Sequence, residues 1–125
     1  MKTMIKIQYL ALASALLMLA ASCAMAPVPA AVMPDLSAKA DGEYTGSYDG
    51  GLVKATVSVT LAAGRIASIR IVKHDCSPIG KKGEAVIERV VQRQTLQVDV
   101  VSGATGSSKV LLKAIETALS GNPQA

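Results

Sequence analysis

The sequence is poor in aromatic side chains: its 125 residues include no tryptophan, no phenylalanine and three tyrosines. Tyr9 lies in an apolar N-terminal stretch, so Tyr44 and Tyr48 remain for a folded domain. Two rings are too few to enclose a planar ligand, and they are not interleaved with basic residues as on nucleic-acid-binding surfaces. We therefore expect neither an enclosed aromatic pocket nor a nucleic-acid partner.

A strong excess of charge is also missing. The formal net charge of +4 includes Lys2 and Lys6, and the rest of the chain has eleven basic and nine acidic residues. The basic residues are scattered, with Lys81-Lys82 as the one adjacent pair, which again argues against a polyanion-binding surface.

Residues that bind metals or form disulfides are scarce, since the chain has one histidine, His74, and two cysteines, Cys23 and Cys76. Consecutive residues of a strand point in alternate directions, so His74-Asp75-Cys76 does not supply the convergent ligands of a closed metal site. No third member of a Cys–His catalytic arrangement is recognisable, and no Gly-x-Gly-x-x-Gly fingerprint occurs. We predict no metal site and no catalytic residue in this chain.

Residues 1–22 resemble a secretory signal peptide. Two lysines precede an apolar run from Tyr9 to Ala21, which is too short for a stable membrane span. Ala20-Ala21-Ser22-Cys23 resembles a bacterial lipobox, which predicts cleavage before Cys23 and lipidation of that residue. Cleavage after Ala24-Met25-Ala26 is the alternative, but Pro27 would then follow the cut. We expect a membrane-anchored lipoprotein outside the cytoplasm, on the periplasmic side or the cell surface.

Residues 23–38 have the composition of a tether. Pro27, Pro29 and Pro34 stand among alanine and valine with little charge, and no helical or strand period is present. Residues 39–121 then form one small domain, near the lower size limit for an unaided core.

The first half of this domain, residues 41–76, shows the alternation of an antiparallel β-meander. A first strand, Glu43–Asp49, leads through a Gly50-Gly51 turn into a second strand. The second strand alternates between a buried face and a wet face: Val53, Ala55, Val57, Val59 and Leu61 against Lys54, Thr56, Ser58 and Thr60. The third is expected to bury Ala67, Ile69 and Ile71 and to expose Ser68, Arg70 and His74.

Two helical patterns follow. The first, residues 81–94, has one face formed by Ile87, Val90, Val91 and Gln94, and the second, residues 107–119, buries Leu111, Ala114, Ile115 and Ala118. Between them, Leu96, Val98 and Val100 suggest a short buried strand or an extended segment. Strands followed by helices predict an α+β domain, with a meander of three to four strands packed with two helices.

Small residues are concentrated in the segment Asp99–Ser108, between an apolar run and the last helix. Gly103 and Gly106 permit tight backbone conformations, and a side chain at Gly103 is expected to crowd the turn. The serine and threonine hydroxyls are placed to cap the helix. A helix start with free N–H groups and hydroxyls is suited to a phosphate.

The pattern Asp99-x-x-Ser102-Gly103-Ala104-Thr105 resembles the signature of the FMN-binding domain family. Tyr44-Thr45-Gly46 and the Gly-Gly turn also resemble the opening of its stand-alone members. In that family a flavin transferase joins FMN to the threonine of the motif through a phosphoester bond. The resemblance implies covalent FMN on Thr105, with the other four motif residues, Asp99, Ser102, Gly103 and Ala104, as its recognition context.

Two further residues need an explanation. Asp99 would repel a nearby phosphate, so it either bonds the backbone N–H groups of the following turn and presents Thr105, or is a solvated turn residue. His74 has a family counterpart in a similar stretch, so it either approaches the flavin or its phosphate, or lies in water at the end of its strand.

These features favour an electron carrier over a self-contained enzyme. The family includes subunits of sodium-pumping NADH:quinone reductases and related membrane complexes. Covalent attachment removes the need for tight binding, and an exposed flavin can dock with donors and acceptors. The expected partners are a flavin transferase and redox proteins or a membrane electron-transport complex. The alternatives are a flavin-dependent reductase subunit completed by a partner chain, and a non-redox lipoprotein whose Ser-Gly turn only caps a helix.

Overall fold

A computed structural model describes residues 27–121, and the predicted leader and Cys23 lie outside these residues. Three strands, β1 (Gly42–Asp49), β2 (Lys54–Ala62) and β3 (Arg65–Asp75), form one antiparallel sheet in the order β1-β2-β3. A 3-10 helix (Gly80–Glu84) leads directly into α1 (Ala85–Arg93), and α2 (Thr105–Ser120) completes the fold. The predicted α+β architecture, with three strands and two α-helices, is confirmed.

Both hairpins follow from their turn residues. Gly51 has a φ of +89°, and the Gly50 N–H donates to the Val53 carbonyl oxygen at 2.8 Å, which closes the β1–β2 loop. Between β2 and β3, Ala63 and Gly64 both have positive φ, as two-residue hairpin turns require.

Two bulges in β3 change which of its residues are buried. Leu61 pairs with Ile66 while Thr60 pairs with Ser68, which leaves Ala67 as the extra residue of the first bulge. The expectation that Ala67 is buried is therefore wrong: Ala67 is exposed, and Ile66 lies in the core.

The second bulge reverses the predicted orientation of His74. Val57 pairs with Ile71 and Thr56 with Lys73, so Val72 is the extra residue and is exposed. His74 then pairs with the buried Ala55, and its side chain is 2 % exposed. The expected wet orientation of His74 is wrong because each inserted residue shifts the two-residue period by one.

The outer face of the sheet is polar, as the alternation of β2 predicts, with one exception. Ser58 lies on this face but is buried. Its hydroxyl donates a hydrogen bond to Glu43, whose carboxylate also accepts one from Arg70 at 3.2 Å. The longer side chains of Glu43 and Arg70 thus cover Ser58 on the solvent side of the sheet.

α2 supplies more of the core than any other element. The predicted buried face is confirmed, and further apolar residues of the helix join it: Val110, Leu111, Leu112, Ala114, Ile115, Ala118 and Leu119. The helix lies close to β1 at Gly46, where a Cβ would lie 2.5 Å from the Ala114 carbonyl oxygen. Only glycine permits this approach, so Gly46 sets the distance between helix and sheet.

α1 covers the remaining edge of the sheet through Val86 and Val90. Its C-cap is Gln94, whose φ is +57° and whose side chain bonds both backbone groups of Ile66, at 2.8 and 3.0 Å. Residues 95–104 then return to the start of α2 without joining the sheet, and Leu96 is buried on the way. The short buried strand, one of the two predicted forms, is therefore not observed.

Residues 27–38 contain no helix or strand, yet they pack on the domain. Leu36 is buried, and Val28, Ala31 and Met33 contact the core. The Val32 N–H donates to the Glu116 carboxylate of α2 at 3.0 Å. This part of the predicted tether therefore lies along the domain surface.

Candidate functional site

The turn that precedes α2 is held by its own backbone. The Ala104 N–H donates to the Val101 carbonyl oxygen at 3.0 Å, and Gly103 has a φ of +81°. A Cβ on Gly103 would meet nothing within 4 Å, so the expected crowding is wrong. Glycine is favoured there because residues with a Cβ rarely adopt this φ.

Thr105 is the first residue of α2, two residues earlier than the predicted helix start, and it is exposed. Ala104 is the N-cap, no side chain caps the helix, and no acidic residue lies in its first turn. The expectation of serine or threonine caps is therefore wrong. The N–H groups at this helix end remain available to a ligand, next to an accessible hydroxyl.

The two serines after Thr105 stabilise the turn from inside. Ser108 is fully buried; its hydroxyl donates to the Ala104 carbonyl oxygen at 2.8 Å and accepts from the Val101 N–H at 3.0 Å. Ser107 is also buried, against the 3-10 helix. Of the hydroxyls in this segment, those of Thr105 and Ser102 are therefore the exposed ones.

Asp99 is exposed, and within residues 27–121 its carboxylate makes no hydrogen bond to the turn. Its backbone carbonyl oxygen accepts a 2.7 Å hydrogen bond from the Arg89 guanidinium, which ties α1 to the start of the turn. The expected carboxylate-to-backbone bonds are not found, and of the two hypotheses for Asp99 the geometry is that of a solvated residue.

A cavity of about 340 Å³ opens beside Thr105. It lies between the β1–β2 loop, the loop before the 3-10 helix and the start of α2, and its lining residues are Leu52, Val53, Ser77, Ile79, Gly80, Gly103, Ala104, Thr105, Gly106 and Ser107. Leu52 and Ile79 are 73 % and 62 % exposed, respectively, so the cavity edge carries two exposed large apolar side chains. The cavity is at the lower end of the usual size range of ligand pockets.

The inner wall of this cavity depends on two glycines. A Cβ on Gly80 would lie 2.6 Å from the Ser107 hydroxyl, and one on Gly83 would lie 2.9 Å from the Ser107 Cβ. The 3-10 helix can therefore pack directly on the first turn of α2.

His74 lies behind this wall and does not line the cavity. Its Nδ1 is 2.9 Å from a Glu84 carboxylate oxygen and 3.7 Å from the Cys76 sulfur. Nε2 is buried without a hydrogen-bond partner among residues 27–121. The imidazole thus connects β3 to the 3-10 helix, and the described structure places it neither in water nor at the cavity surface.

Two other properties bear on function. Among residues 27–121, no group of three or more histidine, cysteine, aspartate or glutamate side chains could hold a metal ion. Within the same range, no helix combines the length and apolar character needed to cross a membrane.

Comparison with protein-family models gives a match over residues 50–120, to the family described as "FMN-binding domain". The match includes the whole Thr105 motif, the cavity and most of the core. The chain belongs to the FMN-binding domain family. Membership supports FMN as the cofactor and identifies the chain as a flavin-binding domain.

A protein of Treponema pallidum (strain Nichols), described as uncharacterized, is 37 % identical over 81 residues. The aligned region covers 63 % of this chain and 22 % of that protein. The chain therefore spans about a fifth of the length of this relative.

Sequence reasoning identified the turn but missed much of its surroundings. Leu52 and Ile79 belong to no recognisable motif. In the sequence, only the neighbouring glycines indicate that the two residues lie in loops. Nothing in the helical period shows that Arg89, which lies off the predicted apolar face, reaches the Asp99 carbonyl oxygen.

Proposed function

We propose that this chain is an electron-transfer flavoprotein domain that carries FMN covalently, through a phosphoester on Thr105. The observation that carries the proposal is the position of Thr105, an exposed hydroxyl at the open N-terminus of α2 and on the wall of the cavity. FMN, when bound, supplies reversible one-electron and two-electron transfer.

The residues at the helix start fit a phosphate. The N–H groups of Thr105, Gly106 and Ser107 lie in the first turn, and no carboxylate of that turn opposes an anion. The helix dipole favours one negative charge there by about 0.3–1 kcal/mol. The Ser108 N–H does not contribute, because it is already bonded to the Ala104 carbonyl oxygen at 2.9 Å.

The cavity fits the apolar part of the cofactor. Leu52 and Ile79 offer aliphatic surface beside Thr105, and one side of the cavity is open. Because this contact is weak, the covalent bond retains the cofactor. An open site leaves the flavin accessible to redox partners, which supports an electron carrier.

The proposal includes a cellular setting. A lipid on Cys23 anchors the domain outside the cytoplasm, a flavin transferase in that compartment modifies Thr105, and redox proteins or a membrane electron-transport complex exchange electrons with it. The leader, the lipobox-like Ala20–Cys23 and the family's known modification support this setting.

Intact mass after coexpression with an active flavin transferase tests the attachment. Wild type should gain the mass of FMN less one water, and Thr105→Ala should gain nothing. Thr117→Ala is the matched control, since Thr117 is an exposed threonine of the same helix, and it should load like wild type. Thr105→Ser should retain partial loading.

Two results would contradict the proposal. Peptide mapping that places the flavin on Ser102, the other exposed hydroxyl of the turn, would reject Thr105 as the acceptor. An unmodified wild-type chain, beside a second substrate labelled by the same transferase, would reject covalent attachment altogether.

A further inference from the structure

The N-terminal segment, residues 27–38, runs along α2 from one end of the domain to the other. At its start, Val28 lies 3.8 Å from the position of a Cβ on Gly50, which also approaches Val110 near the beginning of α2. In the middle, Val32 bonds Glu116. At its end, the Leu36 carbonyl oxygen lies 3.8 Å from the position of a Cβ on Gly64.

This direction places the start of the segment at the cavity end of the molecule. Gly50 belongs to the β1–β2 loop, which also contributes Leu52 and Val53 to the cavity wall. Gly64 lies in the β2–β3 turn, at the other end of β2. The nine residues of β2 separate the two turns by about 30 Å at ~3.3 Å per residue.

The chain between the segment and the proposed lipid is short. Three residues, Ala24 to Ala26, separate Cys23 from Pro27. Four Cα-to-Cα steps span at most about 14 Å. A lipid on Cys23 is therefore confined to the cavity end and cannot reach the β2–β3 turn.

The surface at that end fits a phospholipid bilayer. Leu52 and Ile79 are exposed at the cavity edge, and we call them the cavity lip. Lys81 and Lys82 follow Ile79 and are exposed, so cationic groups lie beside the apolar lip. Apolar side chains next to lysines match the boundary between acyl chains and anionic headgroups.

We propose that the cavity lip rests on the surface of the bilayer that carries the anchor, so that the mouth of the flavin site faces the membrane. This inference rests on the lipid anchor in the proposed function and not on the flavin. The docked segment acts as a spacer of fixed length. It keeps the end of the domain that contains Thr105 at the membrane surface and the β2–β3 turn away from the membrane.

The test measures depth at both ends of β2. Single cysteines are introduced as Leu52→Cys or Ala62→Cys in a Cys76→Ser background, and each is labelled with an environment-sensitive fluorophore. The lipidated chain is reconstituted in vesicles of phosphatidylethanolamine and phosphatidylglycerol that contain a headgroup nitroxide lipid. Quenching should be several-fold stronger at position 52 than at position 62, and Ile79→Cys should behave like Leu52→Cys.

A linker variant tests the spacer. Insertion of about ten Gly and Ser residues between Ala26 and Pro27 frees the domain from the membrane surface. Quenching at position 52 should then fall towards the value at position 62. The same insertion after Gly121 should change nothing.

The outcomes separate this inference from the function proposed above. Equal quenching at positions 52 and 62 in a chain shown by mass to be lipidated overturns the inference while the flavin and the anchor stand. An absence of lipid on Cys23 overturns it at its premise. The readout needs no FMN, so a failure of Thr105 loading leaves the result interpretable.

Discussion

Gly83 holds the 3-10 helix against the first turn of α2. A Cβ there would lie 2.9 Å from the Ser107 Cβ and 3.0 Å from the Ser108 backbone nitrogen, both of which belong to a docked helix that cannot easily yield. A strict steric constraint on the site therefore lies in the neighbouring 3-10 helix, outside the Asp99–Thr105 motif.

This geometry predicts different effects for two glycine substitutions. Gly83→Ala should lower the free energy of unfolding by about 1–3 kcal/mol, because it overpacks the contact, and it should reduce FMN loading by shifting the start of α2. Gly103→Ala, which meets open space, should cost about 1–2 kcal/mol through its positive φ alone. Urea denaturation and intact mass measure the two effects. Normal loading of Gly83→Ala would show that the contact does not position Thr105.

Among the structural elements, β3 departs most from its sequence pattern. Its two bulges, at Ala67 and Val72, each insert one residue into the ladder, and together they place Ile66 and His74 on the buried face. β2, which has strict alternation, and α2, which has a clear helical period, followed their patterns. Bulges could not be predicted because they depend on cross-strand pairing, which the sequence of one strand does not specify.

The second bulge predicts a contrast between His74 and Arg70. His74→Ala should lower the free energy of unfolding by about 2–4 kcal/mol, since it empties a buried site and leaves Glu84 without its partner. Arg70→Ala, an exposed position on the same strand, should change it by about 0.5 kcal/mol or less. Urea midpoints of the two variants give the comparison. Equally small decreases in the free energy of unfolding for the two variants would indicate that His74 lies on the solvent-exposed face of the sheet.

The N-terminal segment is held to α2 by a carboxylate whose charge depends on pH. Burial raises the pKa of Glu116, but hydrogen bonds from the Lys113 ammonium and the Val32 N–H more than offset this and hold its pKa below the ordinary value. A lowered pKa in the folded state means that the contribution to stability is present above the ordinary glutamate pKa of about 4.3. It is lost as the pH falls through the lower, folded-state value.

Acid should therefore weaken the Val32–Glu116 contact, while Leu36 and its apolar neighbours in the segment still pack on the core. The amide NMR signal of Val32 should move towards its random-coil position as the pH falls below about 4.3. Glu116→Gln should weaken the acid dependence of this signal, while Glu88→Gln, on the exposed face of α1, should leave it as in wild type. A Val32 signal that does not change with pH would contradict the role of Glu116.

At the scale of the whole molecule, the site depends on a core far from it. Thr105 is presented because α2 packs on β1, and that packing depends on the missing side chain of Gly46. The motif and the fold class could be predicted because both are local or periodic. The cavity could not, because it joins three segments distant in sequence, and neither could the path of residues 27–38, which lack any period.

Gly46→Ala should consequently have a global effect. The added Cβ collides with the backbone of α2 at Ala114 and Ala118, so the free energy of unfolding should fall by about 3 kcal/mol or more, a large part of the 5–15 kcal/mol typical of a domain. Gly121→Ala, where a Cβ would make ordinary contacts at 3.5 Å, should be nearly neutral. Thermal denaturation followed by circular dichroism measures both. A local loss of FMN loading with unchanged melting would contradict this account.

The docked path of residues 27–38 also determines how electrons can be delivered if Cys23 carries a lipid. A domain attached by a long flexible linker could move through the solution near the membrane and bind soluble partners there. With only three residues between Cys23 and Pro27, the domain stays at the membrane surface and diffuses in the plane of the bilayer, so encounters become two-dimensional. The rate of electron exchange with membrane-bound donors and acceptors should then follow their number per unit of membrane area, and diluting the vesicles in buffer should leave it unchanged.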